Sequence, residues 1–173
     1  SGRSFAAMQR AASRDDAITR LHAMKMEATH MSVGDYLRKF RDQGGIVEER
    51  VRGTHIVSPS VQLRVTPLGQ VELLSSHDQL LGGAQGQKYE GCIFPADTSY
   101  APLIAREAMK ADEKLVSEGV LGRYAIDFVC AKTDDGWHPY AIELNLRKGG
   151  TTHPFLTLQF LTAGAYDPET ARF

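Results

Sequence analysis

Two neighbouring runs of alternating residues, separated by the tripeptide DDG at 134–136, constrain the fold of this chain more than any other feature. The runs are GRYAIDFVCAK, from Gly122 to Lys132, and WHPYAIELNLR, from Trp137 to Arg147. Side chains of a strand point alternately to opposite faces, so this pattern indicates strands with one apolar and one polar face. A three-residue loop that ends in glycine is typical of a β-hairpin. We therefore predict an antiparallel hairpin, with the apolar residues Ile142, Leu144 and Leu146 facing a core.

The predicted hairpin brings two acidic side chains opposite each other on its polar face. A three-residue loop makes Thr133 face Trp137, and counting back from there pairs Asp127 with Glu143. Like charges directly opposite each other destabilise a sheet, so this pair indicates a bound cation. The same register gives two further pairs on this face: Ala125 with Asn145, and Arg123 with Arg147.

The polar face of the hairpin contains the ligand types of a magnesium site. Two carboxylates and an amide oxygen, from Asp127, Glu143 and Asn145, suit Mg²⁺, which usually binds through a few carboxylates and the phosphates of a substrate. Arg147 and Arg123 would meet those phosphates through paired hydrogen bonds. A solvated polar face is the alternative interpretation. Asparagine is a poor strand former, and this favours the functional interpretation, which is a site for phosphoryl transfer.

The rest of the sequence predicts helices flanking an antiparallel sheet, which is an α+β fold. Apolar stripes at helical spacing and capping residues indicate the helices, and alternation indicates the strands. The predicted helices lie within 5–29, from Ser32 to Gly44, from Ser99 to Glu118 and around 155–163. Further strands are predicted over 45–53, 61–67 and 70–76, with an ordered glycine-rich loop over 77–97.

The composition disfavours several classes of protein. The net charge of −1 provides no general basic field for nucleic acid or for an anionic membrane surface. The two cysteines, Cys92 and Cys130, are far apart and indicate reduced thiols. No apolar run reaches the roughly 20 residues that cross a bilayer. We therefore expect a cytoplasmic protein that binds neither nucleic acid nor membrane and that meets its ligand with a local cluster of charges.

The hairpin sequence GRYAIDFVCAKTDDGWHPYAIELNLRKGG resembles the C-terminal core of the ATP-grasp ligases. In that family an acidic residue on one strand and an E-x-N motif on the next hold the magnesium ions of ATP. The resemblance implies that Asp127, Glu143 and Asn145 bind Mg²⁺ and that Arg147 contacts phosphate. The ending NLRKGGTTHP is similar to the peptide-ligase-like branch. The resemblance covers roughly Gly44 to Pro154 and implies the C-terminal lobe of an ATP-grasp domain.

The segment GGIVEERVRGTHIVSPSV resembles the hinge strand of the same family, whose acidic pair begins the part that holds adenine. The resemblance matches Glu48 and Glu49 to that pair and implies that the backbone from Val47 to Val51 binds adenine. Many members have a ribose-binding glutamate shortly after the hinge, where this chain has His55. The nucleotide contacts implied by the resemblance are therefore Glu48, Glu49, Val51 and His55.

The resemblance also implies how the chain is organised. The phosphate-binding lysine that normally precedes the glycine-rich loop of the family has no counterpart, because the chain begins too late. We therefore expect the C-terminal part of a larger enzyme, with a helical N-terminal segment over 1–44 and an ATP-grasp core over 45–173.

The function that the resemblance implies is ATP- and Mg²⁺-dependent joining of a small carboxylate to an amine through an acyl phosphate. Two alternatives stay open. A metal-dependent phosphohydrolase would use the same acids without an adenine site, and a non-catalytic nucleotide-binding module would keep the fold without turnover. A homodimer is a further expectation that the sequence leaves open.

Overall fold

The structure is a computed structural model of the 173-residue chain, and it describes residues 6–8, 10–27, 30–84 and 86–173. The chain divides into two compact units. The first comprises the described residues of Ser1–Arg50 and Leu81–Glu90, and the second comprises Val51–Leu80 and Gly91–Phe173. All the candidate metal ligands therefore belong to the second unit.

The first unit contains two helices and a pair of two-residue strands. The helix α2 (Val33–Gln43) agrees with its predicted limits, because the Ser32 side chain accepts a hydrogen bond from the Asp35 N–H at its start and Gly44 follows its end at φ 74°. The prediction of one or two helices over 5–29 agrees in part, because one short helix, α1 (Arg14–His22), lies there with a two-residue strand on each side; residues 5, 9, 28 and 29 lie outside the described residues. The elements are β1 (Ala6–Ala7), α1 (Arg14–His22), β2 (Lys25–Met26) and α2 (Val33–Gln43).

A six-stranded sheet forms the centre of the second unit. Its strands are β3 (His55–Val57), β4 (Pro59–Val65), β5 (Val71–Gly82), β6 (Lys88–Ile93), β7 (Gly122–Thr133) and β8 (Gly136–Asn145). The strand β8 pairs with β7, which pairs on its other side with β3 and β4, and β5 and β6 follow in order. The described pairings of β7 are antiparallel, so the predicted α+β class with an antiparallel sheet is confirmed.

Three predictions for the elements are wrong. Residues 44–53 form no strand, and pairing with β7 begins only at the Thr54 N–H, which donates to the Lys132 carbonyl at 2.8 Å. The predicted loop over 77–97 is largely strand, because β5 continues to Gly82 and β6 follows. The predicted helix from Ser99 to Glu118 is two helices, α3 (Ala101–Met109) and α4 (Asp112–Ser117).

The two faces of the sheet are covered by different helices. On one face α3 and α4 pack against the buried apolar side chains of β4 and β7, which include Val61, Leu63, Tyr124, Ile126 and Phe128. The opposite face is covered in part by α5 (Thr152–Thr162), whose buried Phe155 contacts the ring of His77. None of the helices in the described part of the chain has the length and apolar character needed to cross a membrane. The polar face of the hairpin lies on the same side as α5.

The apolar side chains at the end of β8 are more exposed than predicted. Leu144 pairs with the buried Ile126 and therefore lies on the core side of the sheet, but it is 44% exposed. Ile142 and Leu146 are 46% and 55% exposed. The expectation that all three point into a core is wrong, because β8 is the outermost strand and α3 leaves this edge partly uncovered.

Candidate functional site

The two predicted metal-binding carboxylates face each other across the β7–β8 hairpin. Asp127 pairs with Glu143, and two positions further along Ala125 pairs with Asn145. Residues that alternate in a strand share a face, so the two acids and the amide lie on one side of the sheet. The register predicted at this end of the hairpin therefore agrees with the structure.

The other end of the hairpin differs from the prediction. Its loop has two residues instead of three, so Thr133 pairs with Gly136 and not with Trp137. A β-bulge then leaves Ile142 unpaired, between Ala141 and Glu143. The bulge adds the one residue that the shorter loop omits, and this restores the predicted register for the acids.

Asp127 is the most enclosed member of the site. The Ser60 hydroxyl donates to its Oδ1 at 2.7 Å, and Asn145 Nδ2 donates to its Oδ2 at 3.0 Å. Burial raises the pKa of Asp127; the hydrogen bonds from Ser60, Gln79 and Asn145 lower it, and the negative charge of Glu143 raises it. Ser60 and Gln79 were missed in the sequence, although Ser60 pairs with Asp127 and is followed at every second position by further polar residues of β4.

Asn145 links the acidic pair to an arginine. Its Oδ1 accepts a hydrogen bond from Arg147 Nη2 at 3.1 Å, while its Nδ2 donates to Asp127. A second nitrogen of Arg147 donates to the Lys148 carbonyl at 3.3 Å. The guanidinium therefore lies beside the amide of the E-x-N motif, at the start of the loop that leads to α5.

Arg123 lies further along the same face of β7 but does not face Arg147. The predicted pair is wrong, because β8 ends at Asn145 and Arg123 pairs instead with Arg64 of β4. Arg64 forms an ion pair with Glu72. Burial lowers the pKa of Arg123, and its Nη1 has no hydrogen-bond partner among the described residues.

Of the residues matched to the nucleotide contacts, only His55 lies in a strand, where it begins β3. Glu48 and Glu49 are exposed members of an irregular segment in the first unit. Val51 is half-buried and His55 is exposed, and both belong to the second unit. The His55 ring packs edge-on against Trp137 with centroids 5.8 Å apart. The structure therefore provides no single strand on which the four residues align.

The donor set around Asp127 suits a hard cation. No three His, Cys, Asp or Glu side chains in the described part of the chain form a group that could hold a metal ion, so a site here needs the Asn145 amide oxygen as well as the two carboxylates. Two carboxylates and one amide oxygen are ligands that Mg²⁺ accepts together with water and phosphate oxygens. A cation would also relieve the repulsion that raises the pKa of Asp127.

Solved structures share the fold at low sequence identity. The biotin carboxylase domain of 2-oxoglutarate carboxylase from Hydrogenobacter thermophilus, solved with MgADP, ADP and bicarbonate, is 15% identical with a TM-score of 0.52; the match covers 88% of this chain and 33% of that chain. N5-carboxyaminoimidazole synthetase from Staphylococcus aureus, solved with ADP, is 14% identical with a TM-score of 0.49, over 72% of this chain and 30% of that chain. The chain thus spans about a third of the length of these proteins.

The family comparison covers nearly the whole chain. No curated protein matches the sequence. The model of the family described as "IQCH-like, ATP-grasp" matches residues 8–169. This match includes the candidate metal ligands and agrees with the fold of the solved relative. The chain therefore belongs to the IQCH-like ATP-grasp family.

Proposed function

We propose that this chain is the metal- and nucleotide-binding part of an ATP- and Mg²⁺-dependent ligase that joins a carboxylate to an amine. The observation that carries the proposal is the register that places Asp127 opposite Glu143, with Asn145 hydrogen-bonded to Asp127 on the same face. Two facing acids without a nearby cation are unfavourable in a sheet. A divalent cation that also binds nucleotide phosphates would offset this cost.

Each residue of the site has a distinct role in the proposal. Asp127, Glu143 and Asn145 would hold Mg²⁺, which would supply positive charge to the phosphates of ATP. Ser60 orients Asp127 by donating to its Oδ1. Arg147 would turn its guanidinium from Asn145 towards the phosphates and stabilise the negative charge that develops during transfer. Arg123, whose Nη1 has no partner among the described residues, is a second candidate for a phosphate contact.

The reaction proposed for the whole enzyme has two steps. A substrate carboxylate takes the γ-phosphate of ATP and forms an acyl phosphate, with ADP as the leaving group. The amine then attacks the acyl carbon and displaces phosphate. The solved relatives with ADP bound support the nucleotide as ligand, and their greater length means that further residues contribute to such a reaction.

A non-catalytic nucleotide-binding module is the second candidate function. It is favoured by the exposed and irregular segment that contains Glu48 and Glu49, because a catalytic site needs the nucleotide held in one position. The two candidates differ in ADP formation and not in nucleotide binding. Binding is therefore the first property to measure, and ADP release the second.

The binding test compares Glu143→Gln with the wild type by thermal unfolding, with and without Mg·ATP. We expect the substitution to cost little stability, because it removes one of two opposed acids. We expect it to abolish most of the rise in Tm that Mg·ATP causes, because a ligand that binds the folded state stabilises it in proportion to its affinity. Glu113→Gln, an exposed acid of α4, is the matched control.

The outcomes separate the proposal from its rivals. A nucleotide-induced rise in Tm that is equal in the wild type and Glu143→Gln would remove Glu143 from the site. A rise that occurs equally with EDTA would contradict the role of the metal. If Mg·ATP raises Tm and the carboxylate- and amine-dependent release of ADP is absent even from a version of the chain extended at its N-terminus, the non-catalytic function is the correct one.

A further inference from the structure

The side chain of Gln62 connects the sheet to the loop that follows the E-x-N motif. Gln62 lies on β4 and is 2% exposed, and both ends of its amide are used. Its Nε2 donates to the Thr151 hydroxyl, and its Oε1 accepts a hydrogen bond from the Thr152 hydroxyl at 3.1 Å. The Thr152 hydroxyl accepts in turn from the Gly149 N–H at 3.1 Å. One buried amide therefore fixes the end of this loop.

Gln62 shares a face of the sheet with the candidate metal ligands without being one of them. It pairs with Ala125, and Ala125 pairs with Asn145 on the next strand. Neighbouring strands are about 4.8 Å apart, so the backbones at Gln62 and Asn145 are separated by about 10 Å. The small side chain of Ala125 lies between them. Any effect of Gln62 on the metal site therefore passes through the loop that it holds.

That loop, residues 146–150, begins beside the site and ends at the first turn of α5. It carries Arg147, which donates to Asn145, and Lys148. Thr151 is the N-cap residue of α5; its hydroxyl makes no capping hydrogen bond and accepts from Gln62. Within this turn the Thr152 N–H donates to the Gly149 carbonyl at 3.2 Å, and Pro154 has no N–H. Gln62 thus controls where both the arginine and this helix end lie.

The chemistry of Gln62 also distinguishes this arrangement from ordinary core packing. An apolar residue fills a buried position without any requirement for hydrogen bonds, whereas a buried amide is costly unless its groups are paired. Here the pairing is complete, and both partners, Thr151 and Thr152, come from the segment that ends the loop. Hydrogen bonds of this kind between residues far apart in the sequence favour a single conformation of the loop.

We propose that Gln62 is a positioning residue for nucleotide binding. It holds the loop so that Arg147, which lies beside Asn145, meets the phosphates of a nucleotide whose metal ion is bound by Asp127, Glu143 and Asn145. This inference rests on the proposed function. It assigns a role to a residue of β4 that neither touches the metal ligands nor lies in the hairpin.

The binding test uses Gln62→Met, which keeps a similar length and removes the amide. We expect the affinity for Mg·ATP, measured by calorimetry, to fall about tenfold, because two buried hydrogen bonds that order the loop are lost. Thr152→Val removes the partner hydroxyl from the loop side and should have a similar effect. The double variant should be little weaker than either single one, because both substitutions break the same connection.

The control separates positioning from stability. Ser76→Ala removes a buried hydroxyl of β5 that forms a 2.6 Å hydrogen bond with Tyr166 and lies on the opposite face of the sheet. We expect it to lower Tm as the Gln62 variant does, with the Mg·ATP affinity unchanged. Equal loss of affinity in Ser76→Ala and Gln62→Met would overturn the positioning role.

A second measurement does not depend on the nucleotide. Hydrogen exchange of the Gly149 amide should be faster in Gln62→Met than in the wild type or Ser76→Ala, because the Thr152 hydroxyl that it bonds is no longer held by Gln62. If the wild type binds no Mg·ATP but the exchange changes as expected, the proposed function fails and the loop connection stands. Unchanged exchange at Gly149 would overturn the inference itself.

Discussion

At the scale of single residues, His77 is a buried base whose ring nitrogens have no partners. Its ring is fully buried on β5, 5.1 Å from the ring of Phe94 and 6.2 Å from that of Phe155 by centroid. Neither ring nitrogen has a hydrogen-bond partner among the described residues, and burial lowers the pKa of His77 to about 4. The folded protein therefore holds the imidazole neutral at pH values where the unfolded chain, with a pKa of about 6.5, takes up a proton.

This difference in pKa predicts acid sensitivity. Below about pH 6.5 the unfolded state binds more protons, so stability falls as the pH approaches the folded value of about 4. We expect His77→Leu to remove about 1–3 kcal/mol of the stability lost between pH 7 and 4.5. Urea unfolding at each pH measures this, with His22→Leu, an exposed histidine of α1, as the control. An identical pH profile in wild type and His77→Leu would contradict the neutral buried imidazole.

At the scale of elements, the β-bulge in β8 decides which side chains reach the site. Ile142 is the unpaired residue and is 46% exposed, so its removal should leave the ladder intact, with Glu143 still opposite Asp127. Leu144 lies between Glu143 and Asn145. Its removal would shift Asn145 by one position and turn the amide to the other face of the sheet.

The two deletions therefore predict opposite results. We expect the protein without Ile142 to keep most of the rise in Tm caused by Mg·ATP. We expect the protein without Leu144 to lose it, because the third proposed ligand then faces away from Asp127. Circular dichroism of both proteins checks that each retains its fold. Retention of nucleotide binding in the Leu144 deletion would exclude Asn145 as a ligand.

The sequence predicts an element well when the interactions that form it lie close together along the chain. The caps of α2 and the alternation of β7 and β8 are local, and the structure agrees with both. The predicted pairing of Asp127 with Glu143 agrees with the structure, but only because two differences from the predicted hairpin cancel. The loop is one residue shorter than predicted, and the bulge adds one residue. The alternation of apolar and polar residues reveals neither difference. The partners of Asp127 on β4 and β5 depend on the order of the strands, which no local pattern contains.

Two of the wrong element predictions have tertiary causes. The segment over 45–53 has the composition of a strand, but its residues have no ladder partner before Thr54. The long predicted helix is divided near Asp112, a buried acid that begins α4 and accepts a hydrogen bond from the Tyr124 hydroxyl at 2.6 Å. The glycines near residue 83 were interpreted as a loop, but they form the turn of the β5–β6 hairpin. In the first two cases a tertiary contact, absent or present, determines the local structure, whereas the third is the turn between two consecutive strands.

At the scale of the whole molecule, binding and turnover are separate properties. The second unit contains the proposed metal ligands together with Gln62 and Arg147, and all of these lie on one side of a single sheet. A nucleotide held from one side stays open to water, which weakens the electrostatic interactions that transfer requires. The solved biotin carboxylase domain with the same fold is about three times as long as the part that this chain matches. Turnover is therefore expected to need residues beyond those that bind the metal.

The last prediction concerns the release of ADP. We expect this 173-residue chain to bind Mg·ATP but to release ADP about 100-fold or more slowly than a longer chain that includes a lysine-bearing strand, because the loss of one well-placed charge stabiliser costs about that much. Both chains are supplied with the same mixtures of carboxylates and amines, and ADP is measured by a coupled assay. Arg147→Met in the longer chain is the internal control. We expect this substitution to lower the rate at which the longer chain releases ADP. Equal substrate-dependent rates in the two chains would show that a residue of this chain, such as Lys148 or His153, completes the site.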